Sequence, residues 1–330
     1  MLLYNYLIFT SVIGGNEMTT EERRLMIKVA KLYYLEGWTQ NQICKKVGKS
    51  RPIISRWLKQ AREERIVEIY IKDESLHTVE LELILENKYD LNEVTVIATN
   101  KNNQEMVMRH LGRTAATYLS SKIDDIKSIG ISWGKSVHAL VDAFTYQNKP
   151  HIHVIPLIGG LGQNNVHLHS NHLTFQMAQK LDTSSSYLYA PAMVETVSLR
   201  NNIMESKDVS EVLNQGKNVD LAIVGVGNPL ESTMTEMGYL NDKDRLSLEE
   251  SNVIGDINSN FYDREGMELE HQINDRIIGL DLKDLAIIPE VMTIVSGVHK
   301  IEALHVALKK QYITTLFIDD VTATALIESY

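Results

Sequence analysis

The chain has 330 residues, a single cysteine, 44% hydrophobic and 23% charged residues, and a formal charge of −10 at pH 7. That is enough chain for a small head and one larger α/β body, and it excludes an intrachain disulfide framework. Cys44 alone suits a reducing cytoplasm, and the Cys and His spacings make no zinc site. The charge is unevenly divided. Met18 to Arg65 holds twelve Lys or Arg against five Asp or Glu, and Ile66 to Tyr330 holds twenty-one against thirty-seven. A small basic module on an acidic body is the electrostatic footprint of a DNA-binding head joined to something with another task.

The first seventeen residues, MLLYNYLIFTSVIGGNE, form an apolar run too short to span a bilayer, with no Lys or Arg ahead of it as a secretory signal requires. We expect 1–17 to be a mis-annotated or disordered extension, with translation beginning at Met18. No transmembrane segment is expected elsewhere. A helix is predicted over Thr20 to Glu36, with Leu25, Ile27, Val29, Leu32, Tyr33 and Leu35 as its apolar residues and Gly37 as its stop. From Thr39 to Arg65 the chain reads helix, tight turn at Gly48, helix. Ile43 and Val47 point inward on the first helix, and Ile54, Leu58 and Ala61 on the second. Arg51, Ser55, Arg56, Lys59 and Arg62 face out, Ser50 is placed to cap the second helix, and Pro52 is tolerated in its first turn. A basic second helix of this kind suits the DNA major groove. Ser50, Arg51, Ser55, Arg56 and Lys59 are the expected contacts to bases and phosphates, and Thr39 and Gln40 those of the first helix with the backbone. Residues 66–72 alternate like a strand or wing, and Glu80 to Leu91 reads as an amphipathic helix, a linker or a dimer contact.

From Glu93 onward strand-like runs alternate with helical ones: VTVIAT, SIGIS, HVIPLIGG, SYLYAPA, DLAIVGVG, AIIPEVMTIVSG and TTLFID, with helices near Gln104–Lys122, Lys135–Tyr146, Leu173–Leu181, Ser206–Asn214 and Lys300–Lys309. Nearly continuous apolar strands separated by helices predict a doubly wound α/β domain with a parallel sheet, whose ligands bind beyond the carboxyl ends of the strands. The expected division is 1–17 extension, 18–72 head, 73–92 linker helix and 93–330 effector and oligomerisation domain. Three strand ends carry the chemistry. Gly130 to Ser136 runs strand, turn, helix, and Ser132, Gly134, Lys135 and Ser136 offer donors to an anion; it is no Walker loop, since three residues rather than four separate its glycines. At Ser296 to Lys300 a strand meets a helix with Lys300 in the first turn, where a cation wants an anion nearby. Gly255 to Gly266 reads as a polar loop whose Asp256 and Asp263 could accept from sugar hydroxyls. Asn171 follows the glycines at 159–162, and Asp319 and Asp320 could support a pocket or an interface. The histidines 167, 169 and 172 lack a ligand set, so no metal and no cofactor are expected.

These stretches together resemble the SorC, or deoxyribonucleoside-regulator, family of bacterial transcriptional regulators, from about Arg23 to Glu328. The marks are KVAKLYYLEGWTQNQICKKVGKSRPIISRWLKQAREERIVEIYI, then GISWGKSV, IPLIGGLG, YAPA, VGVGNP, GDINSNFYDREG, VSGVHKIEALHVAL and LFIDDVTATALI. The resemblance implies a winged-helix or helix-turn-helix head on a domain similar to sugar-phosphate isomerases, assembled as a homodimer or homotetramer, with operator DNA as partner and a phosphorylated sugar as effector. Ser132, Gly134 and Ser136 match a phosphate-cradling turn, Lys300 the effector lysine, Asp263 a sugar-facing carboxylate, and Asn171 a polar position after the glycine turn. Cys44, Trp57 and the Val298-His299 pair depart from the pattern. The expected function is a cytoplasmic repressor of carbohydrate genes, not an enzyme; an isomerase-like enzyme carrying a DNA-binding head is the rival reading.

Overall fold

The computed structural model describes residues 18–64, 66–67, 76–99, 103–160, 164–228 and 240–330. The expected extension, most of the strand expected at 66–72, and residues 161–162 of the glycine turn lie outside them. The chain divides into two compact units, which meet in sequence between Asp73 and Glu74.

The first unit is three helices, α1 (Thr20–Tyr34), α2 (Gln40–Val47) and α3 (Arg51–Glu63). Thr19 and Thr39 each start a helix with a reciprocal capping box, closed by Glu22 and Gln42. Gly48 ends α2 in the left-handed region, φ 68°, and lets the chain turn directly into α3. The core is Met26, Val29, Ala30 and Leu32 of α1, Ile43 of α2, and Ile54, Trp57, Leu58 and Ala61 of α3. The α1 stripe differs from the expected one. Ile27 and Leu35 face solvent, because 3.6-residue periodicity centred on Met26 and Val29 leaves them on the opposite side.

The second unit opens with α4 (Leu76–Tyr89), which packs Leu81, Leu85 and Tyr89 into its core. Then come β1 (Glu93–Ile97), α5 (Gln104–Lys122), β2 (Ser128–Ile131), α6 (Lys135–Ala143), β3 (His153–Pro156), α7 (Ser170–Leu181), β4 (Ser184–Ser185), α8 (Val197–Met204), α9 (Lys207–Gly216) and β5 (Leu221–Val224). The chain continues through β6 (Val226–Gly227), α10 (Asp242–Glu249), β7 (Val253–Ile257), β8 (Asn260–Asp263), α11 (Leu282–Leu285), β9 (Glu290–Val295), α12 (Ile301–Lys309), β10 (Thr315–Asp319) and α13 (Asp320–Ser329). Seven strands form a parallel sheet in the order β1-β10-β9-β5-β2-β3-β4. Alternate strand residues enter two cores. Ala222, Val224, Val291 and Leu316 pack under α4, α9, α12 and α13, whereas Leu221, Ile223, Met292 and Phe317 pack under α5, α6 and α7. That two-sided burial is why the strands read as unbroken apolar runs.

Two expectations change here. Gly255 to Asp263 is no loop: β7 and β8 form an antiparallel hairpin, with Ile257 paired to Asn260 and both turn residues, Asn258 and Ser259, at positive φ. SYLYAPA, residues 186–192, is irregular backbone: the strand is the two residues just before it, Ser184–Ser185, at the edge of the sheet, and Pro191 makes an isolated bridge to Gly160.

Candidate functional site

In the head, Arg51, Ser55, Arg56, Lys59 and Arg62 all lie on the exposed face of α3, fixed there by the burial of Ile54, Trp57, Leu58 and Ala61 opposite. The Arg23–Glu64 pair at 2.6 Å ties α1 to the end of α3. A hollow of about 610 Å³ opens at the start of α2, lined by Tyr33, Tyr34, Trp38, Thr39, Gln40, Asn41 and Arg51 among others. It gathers three expected DNA residues, Thr39, Gln40 and Arg51, and adds an aromatic wall that the sequence reading missed. The signal was present as YYLEGW directly ahead of the Thr39 cap. Thr39 acts through its cap: its amide donates to Gln42 Oε1 at 2.8 Å, and its hydroxyl accepts from the Gln42 amide. Ser50 sits at the N-cap of α3 but makes no capping bond. Pro52 removes one of the two amides such a hydroxyl could take, so the expected cap is corrected to a bare position.

In the second unit the order of the strands decides where a ligand goes. From β2 the chain moves outward through β3 and β4, returns past β2 to β5, and then proceeds the other way through β9 and β10. Between β2 and β5 the connections diverge, and the crevice beyond their carboxyl ends is the binding position of such sheets. There β2 runs into Ser132 to Ser136, with Gly134 at φ 106° as the N-cap of α6. A side chain at Gly134 would meet nothing within 4 Å, so the turn is open over the first amides of α6, where an anion is stabilised. Gly225, at the end of β5, lies 3.5 Å from Trp133 O and 3.9 Å from Ser136 Oγ when a Cβ is placed on it. Beyond it, Gly227 pairs with Asp256, and the Asp256 carboxylate lies where any Gly227 side chain would go. Asp256 is 7% exposed. Burial pushes its pKa up to about 6, against the opposing pull of Lys300 and of the Ser259 amide.

Lys300 is half-buried at the foot of α12. The turn that carries it is braced from α13: Thr322 donates from its amide and its hydroxyl to Asp319 at 2.9 and 2.7 Å, and accepts from the Gly297 amide at 2.9 Å. Asn258 braces the other side, accepting from Ser132 Oγ at 2.7 Å and donating to Leu157 O and Leu280 O. Among the described residues no group of three or more His, Cys, Asp or Glu is arranged to hold a metal ion. No described helix is long and apolar enough to cross a membrane.

Residues 73–328 match the family described as "Putative sugar-binding domain", and residues 18–68 match the homeodomain-like domain family. The chain is 29% identical over 311 residues to a deoxyribonucleoside regulator of Bacillus subtilis, covering 94% of this chain and 99% of that protein. The full-length crystal structure of the sorbitol operon regulator SorC from Klebsiella pneumoniae is similar with a TM-score of 0.74 at 28% identity, over 93% of this chain and 100% of that one. A DeoR family transcriptional regulator from Listeria monocytogenes is 40% identical, with a TM-score of 0.72, over 76% of this chain and 99% of that one. The chain belongs to the SorC/DeoR family of sugar-binding transcriptional regulators.

Within this regulator the expected effector residues separate into three groups. Gly134, Lys135, Ser136, Asp256 and Lys300 collect around the β2–β5 crevice, Lys135 exposed and Ser136 buried in the first turn of α6. Ser132 lies under it, its hydroxyl proton committed to Asn258, so it holds the turn in place. Asn171 and Asp263 are spent elsewhere. The Asn171 amide clamps Leu188, donating to its carbonyl and accepting from its amide, both at 2.9 Å. Asp263 accepts from the Met267 amide at 2.9 Å, in a turn whose Gly266 packs on Val306 and Lys310. Its neighbours Gly266 and Arg264 lie against the side of α12, at Val306 and Lys310 and at Glu302, and its own carboxylate is taken by the turn. The resemblance assigns Asp263 to the sugar, but the hairpin gives the position beside Lys300 to Asp256.

Proposed function

We propose that this regulator is a cytoplasmic repressor of carbohydrate-metabolism genes whose hold on operator DNA is altered by a phosphorylated sugar in the β2–β5 crevice. The exposed face of α3 supplies direct contacts through Arg51, Ser55, Arg56 and Lys59, and the start of α2 grips the backbone. A homodimer or homotetramer presents two heads to a near-palindromic operator. The observation that carries the effector reading is the gathering of the open Gly134 turn, the start of α6 and Lys300 at the place where the strand order reverses. An anion fits the turn and the lysine, and the adjacent Asp256 carboxylate accepts from a sugar hydroxyl. We assign the domain no turnover: Asp256 is read as a hydroxyl acceptor held beneath Gly227, not as a base.

Calorimetric titration of residues 18–330 with pentose and hexose phosphates, each beside its unphosphorylated parent, tests the reading. One phosphosugar is expected to bind, its parent at least tenfold more weakly, and Lys300→Ala is expected to lose about 1.5–3 kcal/mol of binding, the worth of a charged hydrogen bond. Equal binding of phosphosugar and parent sugar would remove the phosphate from the account.

A further inference from the structure

The helix that begins beside Lys300 is bonded in its middle and at its end to α4, the helix that follows the head in the chain. His305, on α12, has its Nδ1 2.8 Å from the Tyr89 hydroxyl, and the two rings meet edge to face at 5.7 Å. The His305 ring also stacks on Tyr330, centroids 3.8 Å apart and planes 8° from parallel. Just past α12, Gln311 Nε2 donates to the Tyr89 carbonyl at 2.6 Å. Residues from the last turn of α4, the middle of α12 and the end of the chain thus form one column. Tyr89 is 5% exposed. Shape alone does not require a polar pair at such a place, since apolar groups of similar size fill the space at little net cost; what a partly buried hydroxyl–imidazole bond adds is a fixed mutual orientation of the two helices.

We propose that Tyr89, His305 and Tyr330 are the positioning residues that couple the effector crevice to the head. An anion held between the Gly134 turn and Lys300 changes the seat of α12, and the column passes that change to α4 and so into the chain leading to the head. The inference rests on the phosphosugar reading above. Its thermodynamic content is a coupling ratio, operator Kd with ligand divided by operator Kd without it, typically about 5–150-fold when a site is allosteric.

The test uses the full chain and fluorescence anisotropy on its upstream intergenic DNA, with the pentose or hexose phosphate that calorimetry selects. Tyr89→Phe keeps the ring and removes the bond. It is expected to cut the coupling ratio about fivefold, the worth of one hydrogen bond, while phosphosugar Kd and ligand-free operator Kd stay within about twofold of wild type. His305→Leu should behave alike, and His305→Gln, which can still hydrogen-bond the Tyr89 hydroxyl, should recover part of the ratio. Wild-type coupling in both Tyr89→Phe and His305→Leu overturns the proposal and leaves the phosphosugar reading standing. A lowered ratio that tracks weakened phosphosugar binding also overturns it, because the residues would then only support the crevice. If no phosphosugar binds the wild-type chain, the functional reading fails first and the coupling role falls with it.

Discussion

In the head, Arg51, Ser55, Arg56 and Lys59 are exposed, and they are held in place by what the other side of their own helix buries. In the sugar-binding domain, Ser132 and Asp256 are buried, and they are held by segments far away in sequence: Ser132 by Asn258, and Asp256 by the pairing of β7 with Gly227. The first kind of site follows from periodicity within one helix. The second exists only once distant segments have met, Ser132 with Asn258 across 126 residues of sequence and β7 with the Gly227 strand, so its polar groups depend on the fold and weigh on its stability.

The largest effect separating the two regions is expected from Trp57→Ala. Trp57 is 2% exposed in a core of nine residues, and truncating a buried Trp costs about 3–5 kcal/mol, enough to unfold a three-helix unit. Far-UV circular dichroism should lose the head's helical signal and operator binding should vanish, while phosphosugar binding persists. Loss of both functions would contradict the independence of the two units.

Asp256→Asn should act in the opposite sense on stability. A carboxyl whose folded pKa is raised to about 6 from the usual 3.8 contributes stability that is fully present below about pH 3.8 and lost as the pH rises to 6. At pH 7 the domain therefore carries a penalty on the order of 1–3 kcal/mol. The amide removes it, so scanning calorimetry should show a higher unfolding temperature at pH 8 and a flatter profile between pH 4 and 6, together with weaker phosphosugar binding. An unchanged pH profile would mean that Asp256 ionises freely.

Arg56→Ala is expected to weaken operator binding by about 1–3 kcal/mol if it reads a base, or to lower the salt slope by about one if it holds a phosphate, with phosphosugar affinity unaltered in either case. The smallest effects distinguish two caps. Thr39→Ala should destabilise the head by about 1 kcal/mol, and Ser50→Ala by no more than a few tenths, because only Thr39 makes its bond. Chemical denaturation read at the single-site level would reverse that ranking if Ser50 capped after all.

Legibility in the sequence follows the same division. The α3 face, the Gly48 turn and the long amphipathic helix α5, expected and found at Gln104–Lys122, rest on patterns a few residues long. So do the apolar strands, whose unbroken runs announce two-sided burial. The β7–β8 hairpin reads as a loop because its polar residues Asn258, Ser259 and Asn260 suggest solvent, whereas all three are buried, the two amides on the carbonyls of Leu157 and Leu280 and the Ser259 hydroxyl on the Trp133 indole. The available signal was the Asn258-Ser259 pair, two residues able to adopt positive φ, set between Ile257 and the Phe261-Tyr262 run. Asn171 looked ligand-like for a related reason: a lone amide in a sequence gives no sign that Leu188 uses both of its ends. Sequence position alone likewise cannot tell that Asp256 faces Lys300 while the Asp263 carboxylate is taken by the Met267 amide.

We propose that occupancy of the β2–β5 crevice by a phosphosugar decides how tightly α3 holds DNA. Anisotropy titration of the upstream intergenic DNA with residues 18–330, with and without pentose and hexose phosphates, tests it most directly. The account predicts tight, salt-dependent binding that one phosphosugar changes at least fivefold, and loss of that response, with DNA affinity kept, in Lys300→Ala. Operator binding that stays constant across every phosphosugar, or a response that survives in Lys300→Ala, would contradict it.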